Sequence, residues 1–565
     1  MEKAEPRYDS DRVAGHIFQR LIEDFRLTQG HNFAQTAEKA FWNGVKCFRE
    51  YEWPTLGSID PYRYKQYWQL QHTLKKYRFK QDAYTDEELE RKTNEAFEAS
   101  QIQLNVPLRR TAITHAVLQE ARKIARSILG DFDKEELASM VRWGRRASIG
   151  CGYKNAYIDY KLTTPEAFTC SSNACSWFFK EYKPSDVVIT RLVKRLFKVA
   201  KRKKIPLRLR CDVLKMVNVP KSWNKLRGIT PLTLIGLFYS YGYGSMVSAR
   251  LKTEGLDIAK LQYIHQMMAR IYSKTRKGAT VDLTNASNSI ISELLNCVLP
   301  RPWYVALRET FVRNLEIDGR ITYTVSVLPM GNGATFPVET LVFYCLIKAV
   351  GNLLDVKGFY SVYGDDLIYP SRIHAYVARV FGLLGLGINV DKTFVSSHFR
   401  ESCGGDFYHG IDVRPFFMPD ALRCNSRTRY LAYLYKVYNG LCRRWDPVEI
   451  PGTIKWLQME ILSVSPGIHQ VPLHWPDESG VKVDRPVKGS WYLNWYQPVV
   501  SFENGSQVMR VKHLSRRADR RFVIDDEPYY WQSLSGSDDK ARDGDWREYR
   551  IPRGVPRSTA KCCSG

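Results

Sequence analysis

Residues 359–370, FYSVYGDDLIYP, constrain this chain more than any other stretch. Apolar and aromatic residues flank a Gly-Asp-Asp turn on both sides, the pattern of a β-hairpin whose tip carries two carboxylates. Holding like charges side by side on an apolar support is costly unless cations offset them, and a divalent metal is the natural offset. Asp-Asp pairs also begin at Asp525 and Asp538, but those sit among polar residues and read as solvated loops. Asp365 and Asp366 sit inside the apolar hairpin.

A second acidic element lies upstream in GATVDLTNASNSIISELL, residues 278–295. Ala279 to Leu283 reads as a strand with Asp282 near its exit. Ile290, Ile291, Leu294, Leu295 and Val298 follow at helical spacing, with Ser287 or Asn288 as the cap. A strand-end Asp beside a hairpin-tip pair suits a two-metal site. Asp282 and Asp365 would bridge two Mg²⁺ ions, for which Mn²⁺ could substitute, and Asp366 would complete the set. Between these elements, Gly331-Asn332-Gly333 predicts a loop whose backbone approaches a ligand closely. The helix predicted after it starts around Thr335 and Pro337, and Val338, Leu341, Val342, Cys345, Leu346 and Ala349 form an apolar stripe that anchors it.

The order of these three elements resembles motifs A, B and C of viral RNA-dependent RNA polymerases. More narrowly, ATVDLTNASNSI, PMGNGATF, SVYGDDLIY and ESCGGDFYHGIDVRPFF look like the replicase β subunit of levivirus-type single-stranded RNA bacteriophages, over roughly residues 215–420. The resemblance implies an α+β fold, a closed right-hand polymerase with an antiparallel-sheet palm. Residues 1–110 would bridge fingers and thumb, and 111–270 would form the fingers, including a basic segment at 187–210 and motif F at 219–231. The palm would span 271–420, and 421–565 would be thumb and a tail that is mobile from about Ser535.

The implied activity is primer-independent RNA synthesis on an RNA template, releasing pyrophosphate. Lys221, Lys225 and Arg227 would hold the incoming triphosphate, together with Gly331, Asn332 and Gly333. Lys392 would give a proton to the leaving pyrophosphate, and residues 401–417 would support the growing 3′ end. Two departures stand out. Asn288 occupies the position where relatives usually carry a second motif A aspartate that helps read the ribose 2′-hydroxyl, with Asn332 as its possible partner; Thr230 stands where an acid is expected. By the same resemblance the partners are template and product RNA, ribonucleoside triphosphates, host elongation factors Tu and Ts and other host RNA-binding proteins, in the cytoplasm of an infected bacterium.

Composition agrees with a polyanionic partner. Lys plus Arg number 84 against 59 Asp plus Glu, a net charge of +25, more than solubility alone requires. The densest positive charge lies in residues 187–210, where Arg191, Lys194, Arg195, Lys198 and Lys201, joined by Arg202, line one side of a predicted helix suited to RNA phosphates. A helix from Arg427 to Asn439 is predicted to stop at Gly440. The first residues are charged and no apolar stretch is long enough to span a bilayer, so neither a signal peptide nor a membrane partner is expected. The cysteines are scattered without a C-x-x-C pair, so reduced thiols are the default. Two alternatives remain. A reverse transcriptase usually places a non-Gly residue before Asp-Asp, against Gly364 here, and a non-catalytic RNA-binding protein leaves an acidic hairpin unexplained.

Overall fold

The computed structural model describes residues 8–29, 59–79, 84–144, 146–152, 156–182, 187–204, 211–422, 425–485, 487, 493–497, 499–503, 506–510, 513–516 and 546–549. Among the described residues, the first helices are α1 (Ser10–Gln29), α2 (Pro61–Thr73) and α3 (Asp86–Leu104). Local chemistry fixes two of their starts. The Asp60 side chain accepts from the Arg63 N–H ahead of α2, and Thr85 and Glu88 form a reciprocal capping box at α3. Next come α4 (Ala112–Leu129), α5 (Val187–Lys203), the antiparallel hairpin β1 (Val217–Ser222) and β2 (Lys225–Ile229), then α6 (Leu234–Thr253) and α7 (Ile258–Thr275).

The acidic elements follow as β3 (Gly278–Thr284), α8 (Thr335–Leu353), β4 (Ser361–Tyr363) and β5 (Asp366–Pro370). Strand β6 (Gly387–Ile388) and a second hairpin, β7 (Phe399–Ser402) and β8 (Gly405–Tyr408), come next, then α9 (Arg427–Cys442) and α10 (Pro451–Val464). The central sheet runs β4-β5-β3-β6, with every pairing antiparallel.

Two large apolar cores hold most of these elements. In the first, α8 packs on α4 and α6, and its predicted stripe from Val338 to Ala349 is fully buried. By length and apolarity α8 could cross a bilayer, but most of it lies inside this core. The second core joins α1 and α2 to α9 and α10 around Phe18, Leu21, Tyr430, Tyr435 and Trp445. Buried Asp24 on α1 accepts the Gly452 and Thr453 N–H groups at 2.8 and 2.9 Å. A carboxylate there satisfies the exposed donors at the start of α10 and complements its dipole. Meanwhile α3 packs on β2.

Three expectations are corrected. Ser287 and Asn288 do not cap a helix; they lie within a single turn, Ala286–Ser289, entered through Asn285 at φ 50°. The next helix, Ser292–Val298, starts separately after Ile291, which bridges to Ser326, so the chain breaks where continuous helical periodicity was expected. Helix α9 runs past Gly440 to Cys442, and the glycine serves packing instead: the Phe416 ring stands 2.5 Å from where a Cβ would be. Of the stretch read as a mobile tail, only Trp546–Tyr549 lies in the described residues, as a strand paired with His513–Arg516. Residues 205–210 of the basic segment fall outside them.

Candidate active site

Sheet register builds the centre. Antiparallel pairing of β3 with β5 sets Asp282 directly opposite Asp366, and the β4–β5 turn carries Asp365 beside them. Gly364 makes the turn possible. It has φ 63°, a Cβ there would stand 2.5 Å from the Phe336 ring, and its N–H donates to Thr340 Oγ1 at 3.0 Å.

Asp282 is held from the far side of the sheet. Asn389 Nδ2 donates to its Oδ2 at 2.7 Å, Asn389 N–H donates to its carbonyl at 2.9 Å, and Lys392 Nζ lies 3.5 Å from Oδ1. Asp366 Oδ2 accepts the Cys403 N–H at 3.1 Å. Desolvation and the neighbouring charges of Glu401, Asp365 and Asp282 push the Asp366 carboxyl up to about 7. Asp365 reaches solvent, yet desolvation by the surrounding protein and the Asp282 charge push it upward too. Burial tends to lower the Lys392 ammonium, but Asp282, Glu401 and Asp366 outweigh that and hold it above its ordinary value. The centre therefore carries more negative charge than its own cations neutralise. Among the described residues no three Asp, Glu, His or Cys side chains close into a ready-made metal-binding group.

That imbalance has a measurable cost. A carboxyl raised in the folded state binds a proton that the unfolded chain has already lost, so it subtracts stability above pH 7 and ceases to do so as pH falls toward 4. Asp366→Asn, which keeps an acceptor for the Cys403 N–H, is expected to melt several degrees above the unsubstituted chain at pH 8 in chelator. The advantage should fade between pH 7 and 4. Thermal melts of both proteins across that range check it, and equal melting temperatures at pH 8 would contradict the strain described here.

The remaining expected residues divide. Lys221 and Arg227 face the aspartates: desolvation, Arg227 and Lys392 lower the Lys221 ammonium while Asp282 and Asp365 act to raise it, and Arg227 acts on Asp365. Lys225 stands at the exposed tip of the hairpin, opposite Ser222. The Asn288 side chain is half-buried and has no hydrogen-bond partner among the described residues, whereas its backbone carbonyl accepts from Ser326 Oγ.

The glycine loop is braced by its own chain. Asn332 is buried, its Oδ1 accepts the Ala334 N–H at 2.9 Å and its Nδ2 donates to Thr310 Oγ1 at 3.3 Å, so both ends of the amide brace the loop. Gly331 and Gly333 are small because the protein itself approaches. A Cβ on Gly331 would meet the Thr230 carbonyl at 2.5 Å, and one on Gly333 would meet Ser240 Oγ at 2.9 Å. Thr230, where an acid was expected, is buried and donates its N–H to the Met330 carbonyl at 2.8 Å. It links the β1–β2 hairpin to this loop. On α5, Arg191, Lys194, Arg195, Lys198, Lys201 and Arg202 are all exposed while Leu196 and Ala200 are buried, and the helix packs chiefly on the short helix Ile158–Thr163. The cations thus line one face, beside a different part of the protein from the aspartates.

Glu339 and Arg400, which the sequence does not single out, complete the surroundings with Glu401, the first residue of the stretch expected to support the 3′ end. Desolvation and Asp406 push Glu401 on β7 up to about 7, and burial with Asp365 pushes Glu339 on α8 up to about 8. Arg400 is fully buried and donates to the carbonyls of Gly278, Val395, Ser397 and Phe399, tying the start of β3 to the turn before β7.

Residues 87–459 match the family described as RNA replicase, beta-chain. The chain is 34% identical over 255 residues to the RNA-directed RNA polymerase subunit beta of Enterobacteria phage SP, covering 43% of each. It is 37% identical over 241 residues to the same-named subunit of Escherichia virus Qbeta, covering 41% of this chain and 40% of that one. To the RNA-directed RNA polymerase beta chain of Escherichia phage MS2 it is 36% identical over 184 residues, 33% of this chain and 34% of the relative. These alignments span less than half the length of the curated relatives. Among solved structures, the RNA-dependent RNA polymerase of a human picorbirnavirus aligns with TM-score 0.35 and 15% identity over 66% of this chain and 78% of that one, too loose a likeness to bear on the fold. With the family match extending well beyond half of its length, and across all three aspartates, the chain belongs to the RNA replicase beta-chain family.

Proposed function

We propose that this chain catalyses RNA synthesis on an RNA template, beginning without a primer, as the polymerase subunit of a phage replicase. The observation that carries the reading is the register of β3 against β5, which sets Asp282 opposite Asp366 with Asp365 in the adjoining turn. Asp282, Asp365 and Asp366 fit divalent cations: they are hard oxygen donors, and desolvation together with neighbouring negative charge raises Asp365 and Asp366 from their ordinary values. Mg²⁺, or Mn²⁺ in its place, would there activate the attacking 3′-hydroxyl and stabilise the departing pyrophosphate.

The chain's own residues hold and orient the substrate. Lys221 and Arg227 face the aspartates from the β1–β2 hairpin and suit a triphosphate; Lys225 at the hairpin tip suits the template or the nucleotide's entry. Asn288, with its amide free among the described residues, suits the ribose 2′-hydroxyl. Lys392 stays protonated against Asp282 and suits a proton donor to pyrophosphate. The exposed cations of α5 suit RNA backbone. The contact of α1 with α10, the apolar core shared by α1, α2, α9 and α10, and the packing of α3 on β2 support a closed hand in which the first 110 residues bridge fingers and thumb. Host elongation factors Tu and Ts, other host RNA-binding proteins and the bacterial cytoplasm complete the proposal.

The direct test is purification of the chain from its host, identification of what copurifies, and assay of nucleotide incorporation on RNA templates with Mg²⁺. RNA-dependent incorporation of ribonucleotides is expected. Its absence, or a preference for deoxyribonucleotides, would overturn the reading. Within it, Lys392→Leu is expected to slow single-turnover addition by about 10²-fold, the range of general acid catalysis, without abolishing it; an unchanged rate would remove its role as acid.

A further inference from the structure

His265 lies on α7 with no exposed surface, and nothing in the chemistry above uses it. Its ring joins two elements distant in sequence. Nε2 is 2.9 Å from Ser361 Oγ, the first residue of β4, and Nδ1 is 3.0 Å from Ser402 Oγ, the last residue of β7. A neutral imidazole has one N–H and one bare nitrogen, and a serine hydroxyl complements either, so both contacts are satisfied in either tautomer. Burial pushes the imidazole down to about 3, so it stays neutral at working pH.

Each serine leads directly to the acidic centre. From Ser361, β4 runs to Tyr363, and the turn continues through Gly364 to Asp365. After Ser402 comes Cys403, at φ 50°, whose N–H donates to Asp366 Oδ2. Both arms of the catalytic hairpin are thus referred to one ring on one helix.

We infer that His265 is a positioning residue, a bolt through Ser361 and Ser402 that fixes Asp365 and Asp366 relative to each other and to the β7–β8 hairpin. The inference rests on the polymerase reading of those aspartates. It predicts an effect on the rate of addition at saturating nucleotide rather than on nucleotide affinity, because the ring touches neither substrate nor reacting atoms.

The test uses the full chain with its copurifying partners. His265→Leu is expected to lower kcat for single-nucleotide addition by about 10- to 100-fold, as a misplacement near 1 Å does, with KM for nucleotide within about twofold. His265→Gln preserves a group at the Nε2 position and His265→Asn one at the Nδ1 position, and each is expected to recover part of the loss. Should His265→Leu fail to fold, Ser361→Ala, which deletes only a hydroxyl, is expected to give a smaller loss in the same parameter. Hydrogen exchange of residues 359–370 supplies a readout independent of activity, and faster exchange in the variant is expected. Unchanged kcat and unchanged exchange in whichever variant folds would overturn the bolt. A wild-type chain inactive on RNA, whose His265→Leu variant nevertheless exchanges faster at 359–370, would overturn the polymerase reading and leave the bolt standing.

Discussion

Asp365→Asn and Asp282→Asn are each expected to lower RNA-templated nucleotide addition by at least about a thousandfold while leaving template binding within about twofold. The substitution changes charge and almost nothing else. Asn at 282 still offers a carbonyl oxygen to the Asn389 amide that now sits 2.7 Å from Asp282 Oδ2, so the strand keeps its anchor. Asn at 365 stands in an exposed turn where no side-chain packing is lost. What disappears is negative charge where desolvation and mutual repulsion already raise Asp365 and Asp366, and that cost is the reason to expect cations there. RNA affinity belongs to other residues. The α5 cations and the β1–β2 hairpin carry positive charge that neither variant touches. Single-nucleotide extension with Mg²⁺, alongside filter binding of labelled template, separates the two effects. Near wild-type extension by either variant would place the chemistry elsewhere.

The difference between what was legible in the sequence and what was not follows the range of each signal. The β4–β5 hairpin, the strand bearing Asp282 and the buried stripe of α8 are short-range patterns with periods of 2 or 3.6, and each formed where expected. Residues 401–417 are legible as a supporting stretch, but the proximity of Glu401 and of the Cys403 N–H to Asp366, and the role of Arg400, arise only through packing of the β7–β8 hairpin against α7 and β3. Asn389 lies three residues before Lys392 and was passed over because an Asn in a loop reads as turn chemistry. Only the fold shows it gripping Asp282 through both side chain and backbone. The glycine loop shows a different limit. Gly-x-Gly signals that something comes close, but not what, and here the visitors are Thr230 and Ser240 of the same chain. Gly440 failed likewise: a residue that often ends helices was there to admit the Phe416 ring.

Gly364→Val is expected to abolish activity about as completely as loss of an aspartate, and to destabilise the chain by about 3 kcal/mol. Two independent requirements meet at this residue. Its φ of 63° lies in the left-handed region, where a β-branched side chain is strained. The Phe336 ring, which packs edge-on against Tyr363 with centroids 4.7 Å apart, occupies the space a Cβ would need. Relief by backbone movement would pull the Gly364 N–H from Thr340 Oγ1 and carry Asp365 with it. Gly364→Ala is expected to show the same defects at smaller size. Adding Phe336→Ala to Gly364→Ala should restore the part due to collision but not the part due to φ, so melting temperature should recover further than nucleotide addition does. Melts and single-nucleotide extension on the three variants read both quantities. If Gly364→Ala kept full activity and stability, the tight approach of Phe336 would have no role in shaping the turn. If it behaves as expected, glycine before the paired aspartates is a consequence of the neighbouring ring. The departure from the Tyr-x-Asp-Asp pattern with a larger residue at x, typical of reverse transcriptases, is then written into the packing of α8 under the hairpin.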